Sequence, residues 1–189
     1  ASSLAKLPLH ANGEYPGFAD DVNPAGYVIH SAILNARPDA NYTLHIHTRA
    51  GSAMSATRCG VLPVSQDAMR FYNRVSYHEF EGIAINEEEC ARLAADLGPR
   101  NRCMVLYNHG LLTLASSPGF ALSEMRYLFE ACETQLMLQA AGQDIRVPPP
   151  ELCEKTAALL ESFAEKGTAN DEWKAYLRIA LRLSPGLRD

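Results

Sequence analysis

The segment that most restricts the fold is CMVLYNHGLLTLASSPGFALSEMRYLFEACETQLMLQAAG, residues 103–142. It opens on a buried strand, CMVLY, which runs into NHG and continues as a second strand, LLTLA. Both are short apolar runs bounded by turn residues. Ser117 then caps a helix whose first position is Pro118. Leu122, Met125, Phe129, Cys132 and Leu136 recur on one stripe of that helix, and Gly142 follows its end. Apolar strands followed by a long amphipathic helix require layers in which a helix covers a sheet.

Upstream elements alternate in the same way. NPAGYVIHSAILNARPDA reads as a helix capped by Asn23, with Pro24 at its first position. NYTLHIHT reads as a strand with Leu44 and Ile46 on one face and His45 and His47 on the other. SAMSATRCGVLPVS is small and turn-rich, and SQDAMRFYNRV is a helix capped by Ser65. SYHEF and GIAI read as short strands about Gly82. NEEECARLAADLG is a helix with Asn86 as cap and Glu89 three residues on, stopped by Gly98. After the Pro-rich connector QDIRVPPPE, two helices follow at 151–166 and 171–183, joined through KGTAND. The expected division is residues 1–142 as one α/β domain, with the N-terminal part of that domain missing, and 143–189 as a connector and helical extension.

Charge narrows the function classes. The 189 residues carry 17 Lys and Arg against 22 Asp and Glu, a net charge of −5. No basic surplus is available to neutralise phosphates, so nucleic acid is not an expected partner. The apolar runs are shorter than the roughly 18 residues that span a bilayer, so neither is a membrane. The five cysteines are odd in number and lack CxxC spacing. They suit a reducing, cytoplasmic setting and argue against a thiolate zinc site.

The histidines carry the chemistry. Side chains at i and i+2 of a strand share a face, so His45 and His47 form a two-pronged clip for a cation. His109 ends an apolar strand beside Gly110, where the backbone can turn sharply or approach a ligand closely. Three such residues make a His₃ site with an open fourth position, the arrangement of a catalytic zinc or another divalent transition metal. The competing reading is three unrelated histidines satisfied by backbone groups. His30 reads as an inward-facing core residue. His78 either lines the same cleft or is exposed, and His10 lies in a loop.

Three quoted stretches together, NPAGYVIHSAILNARPDANYTLHIHTRAGSAMSA, GVLPVSQDAMRFYNRVSYHEFEGIAI and LYNHGLLTLASSPGFALSEMRYLFEACETQ, resemble the class II aldolase/adducin family, nearest to its adducin-like bacterial branch. The resemblance implies a three-layer α/β/α sandwich about a mainly antiparallel central sheet, with a helical C-terminal extension, assembled as a homotetramer. It places the family's zinc ligands on His45, His47 and His109. In the family's sugar-phosphate aldolases the cation polarises a carbonyl or enediolate oxygen, which lowers the barrier to a carbanion.

The departures matter as much. The aldolases' Glu, both ligand and acid/base, falls on Gly26, which can neither ligate nor carry a proton. Asp20, Asp21 and Glu79 are candidate substitutes, and Ser2 and Ser3 a candidate remnant of the phosphate-binding region. Tyr107 and Ala115 stand where relatives often have Arg and Gly, and are expected to adjust packing and cleft shape. The expected function is that of a metal-dependent aldehyde-lyase acting on a small carbonyl substrate, with His78 as the acid/base within the chain. The alternatives are a non-catalytic adducin-like scaffold that binds actin or another partner, and a decarboxylase or epimerase on the same fold.

Overall fold

A computed structural model gives the architecture and describes residue 7, residue 9, residues 22–83 and residues 87–188. The elements run α1 (Pro24–Ala36), β1 (Tyr42–Ile46), α2 (Arg49–Ser55), α3 (Gln66–Met69), β2 (Val75–His78), α4 (Glu87–Leu97), β3 (Cys103–Leu106), β4 (Gly110–Ala115), α5 (Pro118–Ala140), α6 (Pro150–Glu165) and α7 (Thr168–Leu183), then a 3-10 turn at Pro185–Arg188. The expectations placed on Ser2, Ser3, His10, Asp20, Asp21 and Asn86 lie outside the described residues, as do Ala84 and Ile85 of the expected GIAI strand; its other half, Gly82 and Ile83, is a bend rather than a strand.

The strands form one sheet in the order β1-β4-β3-β2. β4 runs antiparallel to both β1 and β3, while β2 and β3 are parallel. That parallel pair needs a crossover, and α4 supplies it. Helices cover both faces. On one side α1 and α4 bring Val28, Ile29, Ile33, Leu93 and Leu97 against Met104, Leu106, Leu112 and Leu114. On the other, Met54 of α2, Phe71, and Met125, Leu128 and Cys132 of α5 pack on Cys103, Val105 and Leu111. Every residue of β3 and β4 is buried, which is why these strands read as continuous apolar runs rather than alternating ones. The α/β/α sandwich with a mainly antiparallel sheet is therefore present.

The C-terminal helices are packed on this body. Trp173 of α7 sits so close to Gly119 that a Cβ there would come within 2.7 Å of the Trp173 Cβ. Glu172 accepts from Ser123 Oγ at 2.6 Å and from the Tyr127 hydroxyl at 2.8 Å. Arg74, which follows α3, donates to Glu154 and Glu161 of α6.

Three expectations need correction. The turn-rich stretch after the histidine clip begins with a helix, α2, because Thr48 caps it through the Gly51 N–H at 3.1 Å. Small residues are required there: a Cβ on Gly51 would stand 2.9 Å from Leu111 Cγ. The buried face of α5 is centred on Ala121, Leu128, Ala131 and Gln135 as well as Met125 and Cys132, rotated from the expected stripe. Finally, residues 168–170 belong to α7, and the turn before it is made at Gly167, with φ +104°.

Candidate functional site

The strand β1 ends at Ile46, so His45 lies on its last turn of pleat and His47 just beyond it. Leu44 and Ile46 lean on the α5 side of the sheet. His45 therefore points to the α1 side, where the His30 ring stands 6.4 Å away, centre to centre. His30 is half-buried and shares a hydrogen bond with the Thr43 hydroxyl, which satisfies it as expected.

His109 arrives from the β3–β4 turn. The turn is forced by Asn108, which adopts a left-handed φ of +55°. Helix α2 then holds it in place. The Asn108 N–H donates to the Ser55 carbonyl at 3.0 Å. The His109 N–H donates to Ser55 Oγ at 3.1 Å, and Ser52 Oγ donates to the His109 carbonyl at 3.4 Å. Ser52 and Ser55 are positioning residues that sequence reasoning missed. Their signal was present as two serines at helical spacing behind HIHT, but a run of small residues reads equally well as a loop.

Gly110 allows the close approach. A Cβ at this position would lie 2.5 Å from the Ile46 carbonyl oxygen and 3.0 Å from His47 Cδ2. Without that Cβ the three rings converge, with centroids 4.6–4.7 Å apart in every pair. His45 Nε2 is 3.3 Å from His109 Nε2 and 2.8 Å from His47 Nε2.

The donor chemistry fits a cation. His45 Nδ1 lies 2.9 Å from the Leu111 carbonyl oxygen, which can only accept. The ring's proton therefore sits on Nδ1, and Nε2 presents a lone pair to the other two rings. Burial pushes the His45 pKa down to about 4; the Leu111 carbonyl opposes this, and the neighbouring imidazoles His109, His47 and His30 add to it. Burial, then His47, also lowers the pKa of His109. The lone pair on His45 Nε2 faces His47 Nε2 and His109 Nε2, so the three nitrogens form one focus that a cation could occupy. Three arms of roughly 2.0–2.1 Å on a tetrahedron put donors about 3.3 Å apart, which the His45–His109 pair matches.

His78 is not brought into this triad. It ends β2 on the opposite edge of the sheet, only 4% exposed, with Nδ1 2.7 Å from Asp96 Oδ2. Its Nε2 is buried without a hydrogen-bond partner among the described residues, 3.8 Å from Glu89 and 4.0 Å from Glu81. Burial raises the Glu89 pKa, against the pull of His78. His78, Glu89, Phe80, Tyr107 and His109 line one small cavity, of about 10 Å³, room for a single water. Glu79 is exposed and also lines it. Tyr107 stacks on Tyr77 at 5.5 Å and forms part of that wall, so this residue does shape the cleft. Gly26 sits in the first turn of α1, where, among the described residues, a Cβ would come nearest to Asn23 at 3.8–3.9 Å, an ordinary van der Waals contact. Packing against the described residues does not require a glycine there.

Comparison with known proteins follows the same lines. Residues 1–136 match the Class II Aldolase and Adducin N-terminal domain. An aldolase II superfamily protein from Pseudomonas syringae is 41% identical and superposes with a TM-score of 0.84, over 89% of this chain and 67% of that one. The L-fuculose 1-phosphate aldolase of Glaciozyma antarctica is 25% identical with a TM-score of 0.74, over 94% of this chain and 68% of that one. Alpha-adducin of Rattus norvegicus is 42% identical over 147 residues, which is 76% of this chain but only 20% of the adducin.

Proposed function

The chain belongs to the class II aldolase and adducin family, and on that premise we propose that it is a zinc-dependent aldehyde-lyase acting on a small carbonyl substrate. His45, His47 and His109 are the residues that would hold the ion. The observation that carries this reading is the convergence of their three Nε2 atoms, with the His45 proton fixed on the far nitrogen by Leu111. Zn²⁺, when bound, supplies a Lewis acid that polarises a carbonyl oxygen and eases loss of a neighbouring carbon.

The chain's own groups divide the remaining work. Leu111 and the two serines of α2 fix the orientation of His45 and His109. His78 is the acid–base group we assign within the chain. Asp96 accepts from its Nδ1 and so leaves Nε2 free to take a proton, on the side of the cavity shared with His109. Decarboxylation or epimerisation would use the same residues, since each leaves a carbanion beside a carbonyl.

A second reading, a non-catalytic scaffold, is supported by the missing carboxylate at Gly26 and by the likeness to alpha-adducin. One experiment separates them: zinc-loaded and EDTA-treated protein are assayed for cleavage of a panel of β-hydroxy ketones and β-hydroxy keto acids. The lyase reading expects turnover that chelation abolishes and zinc restores. Bound zinc with no turnover on any member of the panel would favour the scaffold. A cytoplasmic location is supported by the five cysteines, all of them free thiols.

A further inference from the structure

Beyond the histidines, one cavity collects polar side chains that the fold does not use. It lies where α2 ends, over the turn that carries His109, and has a volume of about 340 Å³. Its walls come from Ser55, Thr57 and Arg58 after α2, Glu79 after β2, and Tyr107 and Asn108 of the β3–β4 turn. Arg58, Glu79 and Asn108 are all exposed, and none has a hydrogen bond or ion pair to its side chain among the described residues. Other arginines are committed: Arg37 grips Asp39, Arg70 grips Glu124 and Arg74 grips Glu154. A guanidinium, a carboxylate and a carboxamide from three separate segments, all facing one cavity and all unspent, are what a small polar ligand needs.

We propose that this cavity recognises the substrate's far end, and that this end is the carboxylate of a short polyhydroxylated acid anchored by Arg58. The guanidinium offers the planar fork that pairs with a carboxylate. Glu79 accepts from hydroxyls, and Asn108 can donate and accept. The charge balance selects among anions. Among the described residues Arg58 is the one guanidinium lining it and Glu79 opposes further negative charge, so a singly charged carboxylate suits it better than a phosphate dianion. Glu79 and Tyr107 are the link to the reaction: they line both this cavity and the small one that His109 also lines. The proposal rests on the lyase reading for what happens at that other end, but not for binding at Arg58.

Isothermal titration calorimetry with L-threonate, L-threitol and glycerol 3-phosphate tests it on wild-type, Arg58→Ala and Arg58→Lys protein, each zinc-loaded and EDTA-treated. The expected result is that threonate binds wild type about tenfold or more tighter than threitol or glycerol 3-phosphate. Arg58→Ala removes that preference, Arg58→Lys keeps part of it, and all three proteins hold the same amount of zinc. Threonate binding unchanged by Arg58→Ala, tighter binding of glycerol 3-phosphate, or no threonate binding at all would overturn the proposal. If the histidines held no zinc while Arg58-dependent threonate binding persisted, the metal reading would fail and the cavity assignment would stand.

Discussion

At the scale of single residues, two glycines have opposite meanings. Gly110 is demanded by contact: any side chain would collide with the Ile46 carbonyl and the His47 ring. Gly110→Ala is expected to cost about 1–3 kcal/mol of stability, the range for overpacking, and to weaken zinc binding further by splaying His47. Urea unfolding and a zinc titration read the two effects separately. Gly26 meets no such demand from the described residues. Gly26→Ala is expected to stabilise the protein by about 0.5–1 kcal/mol, as removal of a helical glycine does. Gly26→Glu adds a carboxyl at the N-terminal end of α1 and is expected to stabilise similarly and to raise lyase turnover, which the Ala variant leaves unchanged. His45 gives a pH dependence. Its folded pKa is about 4 against 6.5 unfolded. Between these values the unfolded chain takes a proton that the folded chain refuses. Metal-free stability is therefore full above pH 6.5 and falls as the pH drops towards 4. Urea midpoints across that range check the sign, and His45→Gln should flatten the slope.

At the scale of elements, legibility followed the kind of signal each segment carries. Ser117–Pro118 and Asn23–Pro24 announced the starts of α5 and α1 because capping is local chemistry, and both caps accept the expected backbone N–H groups. The faces of β1 were legible because Leu44 and His45 alternate. Helix α2 was not: Thr48 is a local cap, but Gly51, Ser52 and Ser55 owe their place to close packing against Leu111 and to the turn they hold, neither of which is local. The buried face of α5 was misjudged for a similar reason: Gln135 is polar yet fully buried. Its Oε1 accepts from the Leu62 N–H at 2.7 Å and its Nε2 donates to the Gly60 carbonyl at 2.8 Å. A sequence shows the polarity and hides the partners. Gln135→Leu is expected to cost about 2–4 kcal/mol by stranding those two backbone groups, measured as a shift in the urea midpoint at unchanged slope.

At the scale of the molecule, the sandwich joins β1 and the adjoining α2 to the β3–β4 turn, which lies more than fifty residues further along the chain. HxH and NHG were both visible in the chain, but the convergence of their rings depends on the β1–β4 register, which pairs His45 with Leu112. The division after residue 142 remains our proposal, with the extension as a brace rather than an independent unit. Removing residues 143–189 uncovers Gly119, Phe120 and Ala121, and is expected to lower the melting temperature while leaving a folded α/β body, as judged by circular dichroism. Apolar side chains stay exposed on α6 and α7, among them Leu159, Phe163, Ile179 and Leu183. The homotetramer we propose would cover some of them, and sedimentation velocity reads its mass directly. Among the described residues no helix is long and apolar enough to cross a membrane.

The central claim is that His45, His47 and His109 hold one divalent cation together. Zinc content by elemental analysis, after dialysis against a zinc buffer, tests it on wild-type protein and on the triple variant His45→Ala/His47→Ala/His109→Ala, both shown folded by circular dichroism. We expect about one ion per wild-type chain, as a single three-histidine site would hold, and none in the variant. Equal zinc in the two proteins, or none in either, would contradict the account.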